Sequence, residues 1–296
     1  MPDAVPEVVF PGGERRPALG LGTWRMGEAR ADRAAEVAAL RRAFEIGWRV
    51  VDTAEMYGEG GAEEVVGEAL AGALRAGLAR DEVFVVSKAY PHHASRAGLR
   101  AACERSRRRL GLDAIDLYLL HWRGSVPLAE TLAGFADLQR RGWIRRWGVS
   151  NFDVADMEEL FALPGADDGA AGCSANQVYY SLGRRGVEFD LLPWQRVRGL
   201  PLMAYCPIDQ GVLAGAGAPA AVHGVAQRHG ATPAQVALAA LLAQPGVLAI
   251  PKAASERHLR ENWGAAALMQ ALDAADRAAL DRAFPPPRRK QALAIV

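Results

Sequence analysis

A chain of 296 residues, 50% of them hydrophobic, is long enough to bury a large core. Its formal net charge of +1 argues against a nucleic-acid or acidic-membrane surface, and no run of about 18 apolar residues could span a bilayer. Segment 1–6 has neither the basic start nor the apolar run of a signal peptide. Cys103, Cys173 and Cys206 are widely spaced and form no CxxC pair, so they read as reduced thiols in the cytoplasm.

Along the chain, residues 8–10 and 15–17 flank Pro11-Gly12-Gly13 and read as a small hairpin plugging a barrel floor. Strand-like runs then alternate with helix-like runs, the pattern of a parallel sheet. The strands expected are 18–23, 48–52, 83–88, 115–121, 144–149, 173–178, 200–205 and 247–251. Between them 34–46, 62–74 and 96–110 carry the Ala, Leu, Arg and Glu spacing of helices. Thr232-Pro233-Ala234-Gln235 offers an N-cap, a proline at the first helical position and a capping-box glutamine. Asp153 and Asp273 stand as N-caps before 154–160 and 274–283. His92 and His93 are adjacent, but no cysteine or acid stands at ligand spacing, so they read as loop residues and not as a metal site. His223 and His229 fall in a helical stretch and read as surface groups.

The length suits the roughly 250-residue scale of an eight-stranded β/α barrel, and 1–296 reads as a single domain without a linker. A doubly wound dinucleotide fold needs GxGxxG after its first strand. Gly20 and Gly22 are followed by Arg25 and not glycine, so that fingerprint fails. Gly215-Ala216-Gly217-Ala218-Pro219-Ala220 matches it in part, but lies past its strand and reads as a loop.

Chemical groups stand where the apolar runs end, the face on which a β/α barrel keeps its chemistry. They are the acid of Val50-Val51-Asp52, the phenol of Tyr57, the amine of Val85-Val86-Ser87-Lys88 and the imidazole of Leu119-Leu120-His121-Trp122. Of 35 basic residues only three are lysine, Lys88, Lys252 and Lys290, and the only asparagines are Asn151, Asn176 and Asn262. Where arginine serves as the general cation, a lysine needs a local reason; arginine's larger fork cannot sit compactly against a phenol. Taken singly, Asp52 also reads as a helix cap, Lys88 as a structural ion pair and Tyr57 as a packed rim residue. Together with Gly20-Leu21-Gly22-Thr23-Trp24 and Gly148-Val149-Ser150-Asn151-Phe152, the ordered set resembles the aldo-keto reductase family, from about residue 17 to residue 285.

The resemblance implies a (β/α)8 TIM barrel with an N-terminal β-hairpin plug and an extra C-terminal helix. It also implies carbonyl reduction by NADP(H), with NAD(H) weaker. As hydride arrives, negative charge builds on the substrate oxygen and a proton must meet it. A phenol, with a reference pKa of about 10, is a poor acid at neutral pH. An ammonium beside it is expected to lower that value, and a carboxylate to hold the amine charged. Tyr57, Lys88 and Asp52 would fill these roles, with His121 aligning the carbonyl.

For the cofactor, the resemblance implies Thr23, Trp24, Ser150, Asn151, Gln177, Tyr205, Cys206 and Ile208 on the nicotinamide and pyrophosphate side. The amides suit a carboxamide because they donate and accept together, and Tyr205 would stack beneath the ring. Lys252, Ser255, His258, Glu261 and Asn262 would hold the adenosine end. Ala253 and His258 stand where many relatives carry serine and arginine, and Arg257 and Arg260 are expected to point away, so the preference for NADPH should be reduced. Trp24, Met56, Tyr90 and Trp122 would rim the substrate side. Only 285–296 follow the last helix, which implies an open pocket for small aldehydes and 2-oxoaldehydes, as in bacterial general-purpose reductases. The expected partner is a small-molecule carbonyl compound, and the chain is expected to act as a monomer with no bound metal. Two alternatives remain open: a cofactor-binding redox-sensor module with little turnover, and a barrel hydrolase using Asp52 and Glu55 as acid and base.

Overall fold

Continuous runs of valine, leucine and isoleucine suit strands covered on both faces, and such runs build the centre of this protein. The computed structural model describes residues 5–28 and 32–296; the reading of segment 1–6 rests largely on residues 1–4, outside the described residues. Two strands, β1 (Glu7–Val9) and β2 (Arg15–Pro17), pair antiparallel. Eight parallel strands follow: β3 (Leu21–Gly22), β4 (Val50–Asp52), β5 (Phe84–Ala89), β6 (Ile115–Leu120), β7 (Ile144–Ser150), β8 (Cys173–Tyr179), β9 (Leu202–Tyr205) and β10 (Val247–Ala249). Each pairs with its neighbour in the chain. The last meets the first through Ala249 N–H to Ala18 O and Gly20 N–H to Ala249 O, both 2.8 Å, so the sheet closes on itself.

The hairpin seals the bottom, as expected. Val8 and Phe10 are buried, the Phe10 ring lies 5.1 Å from that of Phe84, and Arg146 on β7 donates to Pro11 O at 2.7 Å. Strands β3, β4, β9 and β10 are each shorter than expected by two residues or more. Trp48 belongs to the turn that ends the first helix, where Gly47 adopts φ 126 and donates to Ala43 O and Phe44 O. Pro201, lacking an N–H, does not extend β9. At β3 the chain contributes bridges from Leu19 and Gly22 instead of a long ladder.

Helices α1 (Arg33–Ile46), α2 (Gly61–Arg75), α3 (Arg96–Leu110), α4 (Leu128–Arg140), α5 (Val154–Phe161) and α6 (Leu191–Val197) connect successive strands. Between β9 and β10 lie α7 (Ala220–Arg228) and α8 (Pro233–Leu242), and α9 (Glu256–Trp263), α10 (Ala265–Ala271) and α11 (Ala274–Ala283) complete the order. Asp153, Thr232 and Asp273 cap their helices as expected, and the capping box expected at Thr232 is present at all three. No helix of the described residues is long and apolar enough to cross a membrane.

His229 corrects an expectation: it is a structural partner and not a free surface group. Its Nε2 lies 2.7 Å from Asp276 Oδ2, and Arg228 Nε donates to Asp276 Oδ1 at 3.0 Å, tying α7 to α11. Burial alone would raise the Asp276 carboxyl, but Arg228 and His229 outweigh it and hold the group at about 2. An acid depressed in this way stabilises the fold above its unfolded value of roughly 3.9, and that contribution is lost as pH falls through the folded value. Asp276→Asn should therefore cost about 1.5–3 kcal/mol of stability at pH 7. The gap to wild type in thermal melts should begin to narrow near about pH 5 and be gone only by about pH 1. A gap that does not change with pH would show that the ion pairs are not its cause.

Candidate active site

The carboxyl ends of β4, β5 and β6 bring an acid, an amine and an imidazole to one point. Register sets Asp52 opposite Val86 and Lys88 opposite Leu119. His121, the first residue past β6, is held by its N–H to Ala89 O at 3.0 Å. Tyr57 comes from the loop after β4, which folds back until the phenol oxygen lies 3.1 Å from Lys88 Nζ.

Lys88 is fully buried, and its ammonium donates to Asp52 Oδ2 at 2.7 Å, Thr53 O at 3.0 Å and Tyr57 Oη at 3.1 Å. A charged lysine has three N–H groups, and each has an acceptor here. Because the phenol oxygen accepts one of them, the Tyr57 O–H is left to point elsewhere. Asp52 is equally committed: its Oδ1 accepts from Gln177 Nε2 at 2.7 Å. The His121 ring meets that of Tyr57 edge-on, with centroids 5.7 Å apart.

The surroundings reverse one expectation about charge. Burial, then the Asp52 carboxylate, push the Tyr57 phenol well above its ordinary value, where a lowering by Lys88 was expected. Burial also pulls the Lys88 amine down, opposed by Asp52. Burial, reinforced by the Lys88 charge, holds His121 well below its usual value, so the imidazole is neutral near pH 7. The site holds a protonated phenol beside a neutral imidazole, an arrangement suited to giving a proton and a hydrogen bond.

These groups open into a cavity of about 760 Å³, a size typical of ligand pockets. Asp52, Tyr57, His121, Trp24, Met56, Trp122, Ser150, Asn151, Gln177, Tyr205, Cys206, Ile208 and Lys252 all line it. Thr23 and Lys88 sit behind the wall, both fully buried, Thr23 donating to Asp52 O at 2.9 Å. Tyr90, expected on the rim, lies one layer out: its ring is 6.1 Å from that of Trp122 and its hydroxyl donates to Glu59. Glu55 is buried away from the cavity, which overturns its pairing with Asp52 in a hydrolase.

The amide cluster is pre-organised. Asn151 Nδ2 donates to His121 O at 3.1 Å and to Ser150 Oγ at 3.2 Å, while Asn151 Oδ1 accepts from Tyr205 at 2.9 Å. Ser150 Oγ donates to Gln177 O at 2.8 Å. A bound carboxamide must therefore exchange with these contacts or use the acceptors left over.

At the far end, Ser255, His258, Glu261 and Asn262 do not line the cavity. Ser255 caps α9 with its hydroxyl oxygen, and Asn262 is buried. Arg257 does not point away from His258: its Nη2 lies 2.7 Å from His258 Nε2, placing a permanent cation where the sequence offered only a histidine. Arg260 is turned aside toward Glu256, 2.8 Å away, as expected. Lys252 has no ion-pair partner among the described residues and bridges to Gly22 across the barrel closure. The amide-lined pocket, the Tyr205 wall and the Lys252 cation suit an extended dinucleotide, whereas Arg257 lies outside the cavity lining.

Several lining residues were not anticipated: Arg25, Arg123, Gln210, Gly211, Ile295 and Val296. Arg25 and Arg123 directly follow Trp24 and Trp122 in the chain, and that adjacency was the available signal. Nothing local marks the tail, whose arrival corrects the expectation of an unobstructed pocket. Lys290 anchors it, 3.4 Å from Asp153 and 3.6 Å from Asp190, before Ile295 and Val296 reach the mouth.

Residues 18–284 match the Aldo/keto reductase family. The chain belongs to that family. This reductase is 48% identical to the methylglyoxal reductase YeaE of Escherichia coli (strain K12), over 98% of each chain. It is 31% identical to the methylglyoxal reductase DkgB of Salmonella typhimurium, over 89% of this chain and 91% of that one. Among solved structures, an aldo/keto reductase from Klebsiella pneumoniae in complex with NADP and acetate superposes with a TM-score of 0.90 at 47% identity. That match covers 98% of this chain and 99% of the other.

Proposed function

We propose that this aldo/keto reductase uses NADPH to reduce small aldehydes and 2-oxoaldehydes to alcohols, with Tyr57 as proton donor. The observation that carries the reading is the saturated Lys88 ammonium, which leaves the Tyr57 proton free beside a neutral imidazole at the cavity wall. The Escherichia coli and Salmonella relatives, both methylglyoxal reductases, support the substrate class. The Klebsiella structure with NADP supports the cofactor.

The cofactor, when bound, supplies hydride to the carbonyl carbon. His121 donates a hydrogen bond to the carbonyl oxygen and orients it. Tyr57 delivers its proton to that oxygen, and the resulting phenolate is stabilised by the Lys88 ammonium 3.1 Å away. Asp52 keeps Lys88 charged and in place, and Gln177 holds Asp52. We also read the chain as one barrel domain acting as a cytoplasmic monomer; its free cysteines support the location, and size-exclusion chromatography tests the oligomeric state.

The direct test is NADPH oxidation with methylglyoxal and a panel of small aldehydes. Tight NADPH binding without turnover on any of them would favour a cofactor-binding module over a reductase. Cofactor choice gives a second measurement. Lys252→Met and Arg257→Ala should each raise the NADPH dissociation constant about tenfold, the scale of one charge-assisted hydrogen bond. NADH should bind either variant about as well as it binds the wild type. Equal effects on both cofactors would remove these residues from the 2′-phosphate.

A further inference from the structure

Glu55 and His93 have no part in the chemistry above, yet they meet beside it in one cluster built around a buried carboxylate. Glu55 is only 4% exposed. Its Oε1 accepts from Tyr90 N–H at 2.7 Å and lies 2.8 Å from His93 Nδ1, and its Oε2 accepts from Arg105 at 3.2 Å. Its own N–H donates to Lys88 O at 3.2 Å. In the chain it stands between Asp52 and Tyr57, on the loop that must bring the phenol back over Lys88.

We propose that Glu55 is a positioning residue for Tyr57. Its carboxylate pins the loop carrying the phenol to the turn after β5, to Arg105 on α3, and through its backbone to the strand end carrying Lys88. A loop has many conformations, and only a few put the phenol 3.1 Å from the ammonium. Three donors from two separate elements converge on one buried carboxylate and add to the loop's few backbone contacts. Arg105 and His93 are partly exposed, so losing Glu55 leaves them able to turn to water. The damage should therefore fall on the placement of the loop.

The inference rests on Tyr57 being the proton donor, and a double-mutant cycle separates the two. Glu55→Ala, Tyr57→Phe and the double variant are compared by kcat for a small aldehyde at saturating NADPH, with NADPH affinity and melting temperature measured alongside. Glu55→Ala should lower kcat by roughly 10–100-fold, the scale of a misplaced reacting group, while NADPH affinity changes less than about threefold. Glu55→Gln, which keeps an acceptor for Tyr90 N–H, should recover part of the loss. In the Tyr57→Phe background Glu55→Ala should cost less than about threefold, because there is no phenolic proton left to misplace. The same factor in both backgrounds, or a kcat for Glu55→Ala within about twofold of wild type, would overturn the positioning role alone. If Tyr57→Phe itself turns over normally, the proton-donor reading fails and this inference falls with it. Should Glu55→Ala not fold, Glu55→Gln completes the same cycle.

Discussion

Tyr57→Phe is expected to slow aldehyde reduction by about 10²–10⁴-fold, the usual worth of a positioned general acid. The phenol lines the cavity near His121, away from the adenosine contacts proposed for Lys252 and Arg257, so NADPH affinity should change little. Loss of the oxygen also takes one of three acceptors from Lys88, but Asp52 and Thr53 still hold the amine. The wild-type pH profile carries a matching expectation. Because burial and Asp52 push the phenol well above its ordinary value, it stays protonated through neutral and mildly alkaline pH. Loss of the phenol's own proton should therefore not limit reduction below about pH 9, and an earlier fall would report the Lys88 amine, which burial pulls down. Turnover of the variant within about threefold of wild type would show that another group supplies the proton.

Lys88→Arg and Lys88→Met should be nearly as damaging, for different reasons. Lys88 is fully buried with its three donors matched, so a guanidinium has neither the room nor the donor directions to replace it. We expect kcat to fall by at least about 10²-fold in Lys88→Arg, since the charge that receives the phenolate is displaced. Lys88→Met removes the charge and leaves Asp52, 2% exposed, with Gln177 as its side-chain partner. Stranding a buried carboxylate in this way costs about 3–5 kcal/mol, so this variant should also unfold at lower denaturant. Arginine is the general cation of this chain, so near-normal turnover in Lys88→Arg would mean that any positive charge suffices at this position.

Much of the barrel was legible because buried parallel strands are marked by composition alone. Runs such as Val50-Val51 and Val83-Phe84-Val85-Val86 need no partner to be recognised, and a polar residue ending each run marks the working face. Helix starts were legible for the same local reason, as Asp153, Thr232 and Asp273 each cap a helix within three residues. The strand ends were less so: backbone details such as Gly47 and Pro201 decide them, and hydrophobic pattern does not.

What stayed hidden depends on contacts between distant segments. Burial sets the direction of the Tyr57 shift, and no spacing records how deeply a phenol lies. Ile295 and Val296 reach the mouth because Lys290 is held by two acids far away in sequence. Arg257 and His258 are sequence neighbours that helical geometry would separate, yet the long arginine side chain folds back to the ring. Glu55 could be seen in the motif, but its partners at 90, 93 and 105 became visible only when three segments were brought together.

The scarcity and placement of lysine make this protein unusually readable by amine-directed labelling. Of the three lysine side chains, Lys88 is sealed off, whereas Lys252 and Lys290 are exposed. A mild acylating reagent should thus modify two lysines and spare the one beside Tyr57. Lys252 lies in the cavity wall and Lys290 anchors the tail, so peptide mass mapping would report on two separate events. Shielding of Lys252 by bound nucleotide would trace occupancy of the cavity, and the rate of Lys290 modification would report how often the tail lets go of Asp153 and Asp190.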